Sequence, residues 1–216
     1  MTVSLSRNSC QYSLNGTDWT YLSKNTASPA INTGEKIYFK KASELTIFST
    51  MGIGTFTISK PFNLSGNCMS MLFGDYAKSR NLIGYRDCFI KLFYNTPVVN
   101  VSSNFLPATI LDSNCYQQMF YNCTSLTTAP ELPATELIDY CYQHMFSGCT
   151  SLVSAPELPA TELAEYCYQY MFAYCSSLVN ISSLHATTLA NYCYNHMFDE
   201  CTSLINAPEL PATILA

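Results

Sequence analysis

The sequence predicts an α/β repeat solenoid preceded by a small β-rich N-terminal domain. Two observations lead there: a Cys-Tyr-x-x-Met-Phe frame that recurs every 26 residues, and hairpin and strand signals that lie before the frame begins. The frame starts at Cys115, Cys141, Cys167 and Cys193, and a second cysteine keeps step at Cys123, Cys149, Cys175 and Cys201. Between them Leu126, Leu152, Leu178 and Leu204 alternate with Leu-Pro-Ala-Thr segments from Leu106, Leu132, Leu158 and Leu210. At Leu184 that segment reads Leu-His-Ala-Thr, so His185 stands where proline is expected.

Within one unit, Thr135 or Thr161 can cap a helix whose first turn carries Glu136 or Glu162, a favourable charge at that end. Leu137, Cys141, Met145 and Cys149 follow at four-residue steps with Ile138 and Tyr142 beside them, an apolar stripe of helical period that faces the core. Asp139, Tyr140, Gln143 and Ser147 fall on the other side, and Gly148 ends the helix. Residues 152–158 are then extended, because Pro156 and Pro159 forbid further helix. Such a unit cannot bury its stripe alone, so neighbours stack, with strands about 4.8 Å apart. Cys68-Met-Ser-Met-Leu-Phe and Cys88-Phe-Ile-Lys-Leu-Phe are degraded forms of the frame, as atypical terminal units require.

The N-terminal part reads differently. Asn15-Gly16 between Tyr12-Ser13-Leu14 and Thr17-Asp18-Trp19 signals a hairpin, and residues 36–40 and 55–58 are further strand candidates. The expected division is a β-rich cap domain over 1–60 and repeats over 61–216, degraded through 114 and regular from 115.

Cys-Tyr-x-x-Met-Phe-x-x-Cys-Thr-Ser-Leu-x-x-Ala-Pro-Glu-Leu-Pro-Ala-Thr, almost intact from Cys115 and Cys141, resembles the leucine-rich repeats of BspA-type surface proteins, found in gut bacteria and in phages that infect them. The resemblance implies a leucine-rich-repeat solenoid acting in adhesion and recognition, not catalysis. Ile181-Ser182-Ser183, replacing Ala-Pro-Glu, is its main departure.

Composition narrows the function. Charged residues make up 12 % of the chain, about half the usual share, and the net charge is −5. No basic stripe is present to neutralise phosphates, so nucleic acid is not expected as a partner. No apolar run approaches the roughly 20 residues of a membrane span. Residues 1–7 show no secretory leader, which leaves either an extracellular or cell-surface protein whose leader was already removed, or a virion protein released by lysis.

No cofactor or metal is expected. Cys141 and Cys149 on one helix would lie about 12 Å apart, beyond disulfide reach, and no Cys-x-x-Cys spacing occurs. The cysteines read as small buried apolar side chains, with equivalent positions in adjacent units the one disulfide risk. His144 and His196 share a repeat position with Tyr170 between them, too far apart for one metal ion, and His185 stands alone. Glu131, Glu157 and Glu209 form either a weak calcium ladder or solvated glutamates, and the break at Ser183 favours the second. Neither a nucleophile triad nor a phosphate loop is legible, so the protein is not expected to be an enzyme.

The expected function is recognition of protein or glycan on a host or neighbouring cell; the alternative is a spacer, or a virion decoration or fibre protein without a ligand of its own. A spacer needs no variety at its outward positions, yet Thr128, Ser154, Asn180 and Asn206 vary, as do Gln118, His144, Tyr170 and His196. The candidate contact residues are Ser154, Asn180 and Asn206 on the strand face, with Tyr140, Tyr166 and Tyr192 as the rival set. The sequence stops at Ala216, where a further helix should begin, so it is a fragment or a partner or second copy covers that end.

Overall fold

The expected repeat of strand and helix does not form in the computed structural model, which describes residues 1–6, 10–41, 53–74 and 80–214. Its strands lie in three small separate sheets. α1, Ser70–Phe73, is the only α-helix among the described residues. The chain is therefore not an α/β leucine-rich-repeat solenoid. Leu215 and Ala216, next to the helix expected after them, lie outside the described residues.

The N-terminal strands are short and antiparallel. β1, Val3–Leu5, pairs with β5, Phe56–Ile58. β2, Cys10–Ser13, pairs with β3, Thr20–Leu22, on one side and β4, Tyr38–Lys41, on the other. The Asn15-Gly16 hairpin is thus present, with a longer loop: Asn15 Oδ1 accepts the amides of Thr17 and Asp18, and Ser13 Oγ accepts that of Gly16, whose φ is +83°. β6, Phe62–Leu64, runs parallel to β7, Val98–Val101. Phe56 joins the two parts of the core, its ring 4.9 Å from Phe39 and 5.5 Å from Phe93.

What repeats beyond residue 86 is a ribbon of turns. In residues 138–149 every second amide, those of Cys141, Gln143, Met145, Ser147 and Cys149, donates to the carbonyl three residues back. The intervening amides of Tyr140, Tyr142, His144, Phe146 and Gly148 donate forward to Glu165, Cys167, Gln169, Met171 and Ala173. An α-helix would consume all these amides internally. Left-handed backbone at every fourth residue, Tyr140 at +60°, His144 at +54° and Gly148 at +77°, breaks the helix and turns alternate amides outward. For Tyr140 and His144 that conformation costs about 1–2 kcal/mol each, against which stand the row of cross-unit hydrogen bonds and the ring stacks described below.

Helix and turn ribbon share an apolar spacing: a period of four and a period of 3.6 differ by only about 40° per four-residue step, so Cys141, Met145 and Cys149 fit both. Several placements change with the ribbon. Ser147, expected on the polar side, is buried, while Ile138, expected at the core, is exposed. Glu136 and Glu162, expected in the first turn of a helix, are single parallel bridges to Ile110 and Thr188. The expected strand over 152–158 reduces to one bridge, Ser154 to Asn180.

Stacking by repeat brings like residues together. Phe93, Phe120, Phe146 and Phe172 form one buried column, Tyr116, Tyr142 and Tyr168 another, with successive centroids 5.6–5.8 Å apart. These near-parallel rings are wider apart than face contact at roughly 3.5–4 Å, so they are offset, the favoured arrangement for their quadrupoles. All eleven cysteines are free and buried. Cys123, Cys149, Cys175 and Cys201 donate their thiols to the carbonyls of Phe93, Phe120, Phe146 and Phe172 at 3.0–3.1 Å.

Candidate recognition surfaces

The parallel bridges align exposed neutral polar side chains in two runs. Asn63 pairs with Asn100, Asn100 with Thr128, and Ser154 with Asn180. Asn100 Nδ2 donates to Asn63 Oδ1 at 3.0 Å, and Thr127 Oγ1 donates to Asn100 Oδ1 at 2.9 Å. Of the strand-face candidates, Ser154 and Asn180 are thus brought together, and Asn206 is exposed at the equivalent position of the last unit. Asn63 and Asn100 form the upstream run with Thr128, and they were not legible in the sequence because the units there depart from the 26-residue spacing.

The rival set is also brought together, in a different way. Tyr140, Tyr166 and Tyr192 stack with centroids 4.8 and 4.9 Å apart and planes within 9°. Tyr140 and Tyr166 are half-buried and Tyr192 is 57 % exposed. Both faces of Tyr166 and one face each of Tyr140 and Tyr192 are spent on a neighbouring ring, which leaves edges, hydroxyls and the outer faces of the two end rings for any ligand. A parallel column, His144, Tyr170 and His196, stacks at 4.7 Å. Burial holds the His144 imidazole below its ordinary pKa, and its Nδ1 has no hydrogen-bond partner among the described residues. Beneath these columns, the amides of Gln117, Gln143, Gln169 and Asn195 hydrogen-bond in sequence.

Glu131, Glu157 and Glu209 are exposed, and Glu157 Oε2 lies 3.4 Å from His185 Nε2, a solvated pair worth little. Among the described residues no group of three or more His, Cys, Asp or Glu is placed to hold a metal ion. No helix of the described residues is long and apolar enough to cross a membrane.

A further surface was not legible in the sequence. A cleft of about 980 Å³ lies between the N-terminal sheets and the first turns. Phe39 and Phe62 contribute to its floor, and Lys36, Lys40 and Lys60 to its lining, with the Lys40 ammonium 4.2 Å from the ring centroid of Trp19. Its residues come from separate segments that only folding brings together. Charge is segregated in the same sense. All ten Lys and Arg lie within residues 1–91 beside five of the fifteen acids, so that part carries +5 and residues 92–216 carry −10.

Comparison with models of known families, with curated proteins and with solved structures finds no match to the chain.

Proposed function

We propose that the chain is a non-enzymatic recognition module that binds protein or glycan through its exposed polar positions from Asn63 to Asn206. The observation that carries this reading is the alignment by backbone bridges of Asn63 with Asn100 and Thr128, and of Ser154 with Asn180, all of them exposed. Amides and hydroxyls on a backbone held in register lose little entropy on binding and offer both donors and acceptors. The tyrosine column is the weaker candidate, because its rings are already engaged with each other. The BspA-type motif supports placing such a module on a bacterial surface or a virion.

A glycan array, followed by pull-down from host cells, supplies the ligand for the test. Asn180→Ala with Asn206→Ala should weaken binding about tenfold or more, the loss expected when hydrogen-bond partners are removed from a contact. Tyr166→Ala with Tyr192→Ala should weaken it less. If only Lys36→Ala with Lys60→Ala reduces binding, the ligand sits in the cleft and the polar runs are not the contact surface. If none of the three pairs affects a ligand the chain retains, the repeated part is a spacer.

A further inference from the structure

The cleft between the N-terminal sheets and the first turns has an apolar floor that the core leaves partly uncovered. Ile37, just before β4, Phe39 within it, and Phe62 and Leu64 of β6 are half-buried, packed against the core yet still lining the cleft. The rings of Phe39, Phe56, Phe93 and Phe62 follow one another with centroids 4.9, 5.5 and 6.3 Å apart, so the floor is a continuous aromatic surface. Single exposed apolar residues are ordinary on a protein surface. Four gathered around one concavity of about 980 Å³ instead have the size and lining of a small-molecule site.

The charge at this cleft is unbalanced. Lys36, Lys40 and Lys60 line it against one acid, Glu35, which leaves three positive charges against one negative. Glu35 is already engaged, its Oε2 accepting the Asn32 amide at 2.7 Å. Lys40 lies over Trp19. Lys36 and Lys60 are exposed and form no ion pair or side-chain hydrogen bond among the described residues. Two unpaired ammonium groups beside an apolar floor complement a molecule that is divided in the same way, with an apolar body and an anionic head.

We propose that the cleft binds an alkyl carboxylate, its chain on the floor between Phe39 and Phe62 and its head at Lys36 and Lys60. A floor of several rings in succession offers more apolar area than one compact ring system covers, which favours an extended chain. A bilayer surface does not fit, because the four apolar side chains are half-buried within the cleft and do not project from it. Neither Asn180 nor Asn206 lines the cleft, so the test is independent of the polar runs.

Isothermal titration with decanoate, kept below micelle-forming concentration, is that test, with decanol and decyltrimethylammonium as neutral and cationic counterparts. Decanoate should bind one per chain and at least about tenfold more tightly than either counterpart. Lys36→Gln with Lys60→Gln, at two exposed positions, should weaken decanoate about tenfold or more and leave decanol unchanged. Hexanoate should bind at least about tenfold less tightly than decanoate, because its chain is shorter by four methylenes. Asn180→Ala with Asn206→Ala should alter none of these affinities. Absence of decanoate binding, equal binding of the three amphiphiles, or loss of decanoate binding in the asparagine pair overturns the proposal. So does binding to phosphatidylglycerol vesicles without binding to monomeric decanoate.

Discussion

The N-terminal sheets and the stacked turns are both held by backbone pairing around an aromatic core, but they differ in what each side chain meets. In β2 and its neighbours every residue faces a different partner, Tyr12 across from Thr20 on one side and Phe39 on the other. In the turns a residue meets its own counterpart one unit on: Phe146 lies between Phe120 and Phe172, and Gln143 lies between Gln117 and Gln169. Self-stacking suits rings, amides and thiols, which attract or hydrogen-bond their own kind. It suits charges poorly. Lys and Arg are absent beyond Lys91, and of the ten acids that remain eight are exposed while Asp112 and Asp199 are half-buried.

The largest difference should appear in thiol chemistry. Burial pushes the Cys10 thiol up to about 12 and Cys123 up to about 11, and raises Cys149 well above its ordinary range. Reaction with iodoacetamide at pH 8 should therefore be slower than that of a free thiol by about 100-fold or more. Eleven adducts should appear after denaturation. Cys10, in a sheet of strands three to four residues long, should label before Cys149, which lies under two rows of cross-unit bonds. Mass-spectrometric mapping showing Cys149 labelled first would reverse the stability order of the two regions.

Phe146→Ala removes a ring stacked on both faces and should cost about 3–5 kcal/mol in a denaturant titration; Met171→Ala, fully buried, should cost about 2–5. Phe62→Ala, at a half-buried ring, should cost about half as much as Phe146→Ala. A loss under about 1 kcal/mol for Phe146→Ala would mean that the turns do not depend on their ring columns.

Gly148→Ala should cost more than the roughly 1–2 kcal/mol of its left-handed backbone alone, since its φ is +77° and a Cβ there meets the Asn122 side chain. Gly34→Ala, also left-handed but with open space around it, should lose the backbone part alone. If Asn122→Ala fails to soften the effect at Gly148, the contact between adjacent units is not its cause.

The smallest effect concerns pH. His144 has a folded pKa below its unfolded value, so the unfolded chain binds more protons and this site's stabilisation, complete above the unfolded pKa, declines as pH falls through it. Thermal denaturation between pH 7.5 and 5 should show a stability loss that is shallower in His144→Tyr, a substitution matching Tyr170 in the same column. Identical slopes would mean that His144 titrates as freely when folded as when unfolded.

Period and like-on-like contacts were legible from residue spacing. A 26-residue frame places Cys, Tyr, Met and Phe at fixed intervals, and any stacked arrangement of those units must bring like residues together and bury them. The hairpin at Asn15-Gly16 was legible too, because the conformation that glycine favours and the local hydrogen bonds of asparagine act within a few residues. The backbone that the 26-residue units adopt follows from their packing against one another. An amide can satisfy itself four residues back in a helix or across to the next unit, and apolar spacing is nearly the same for both. The choice rests on whether a neighbour stands ready with a carbonyl, and Tyr140 and His144 keep their left-handed backbone where residues 165–173 provide a row of them.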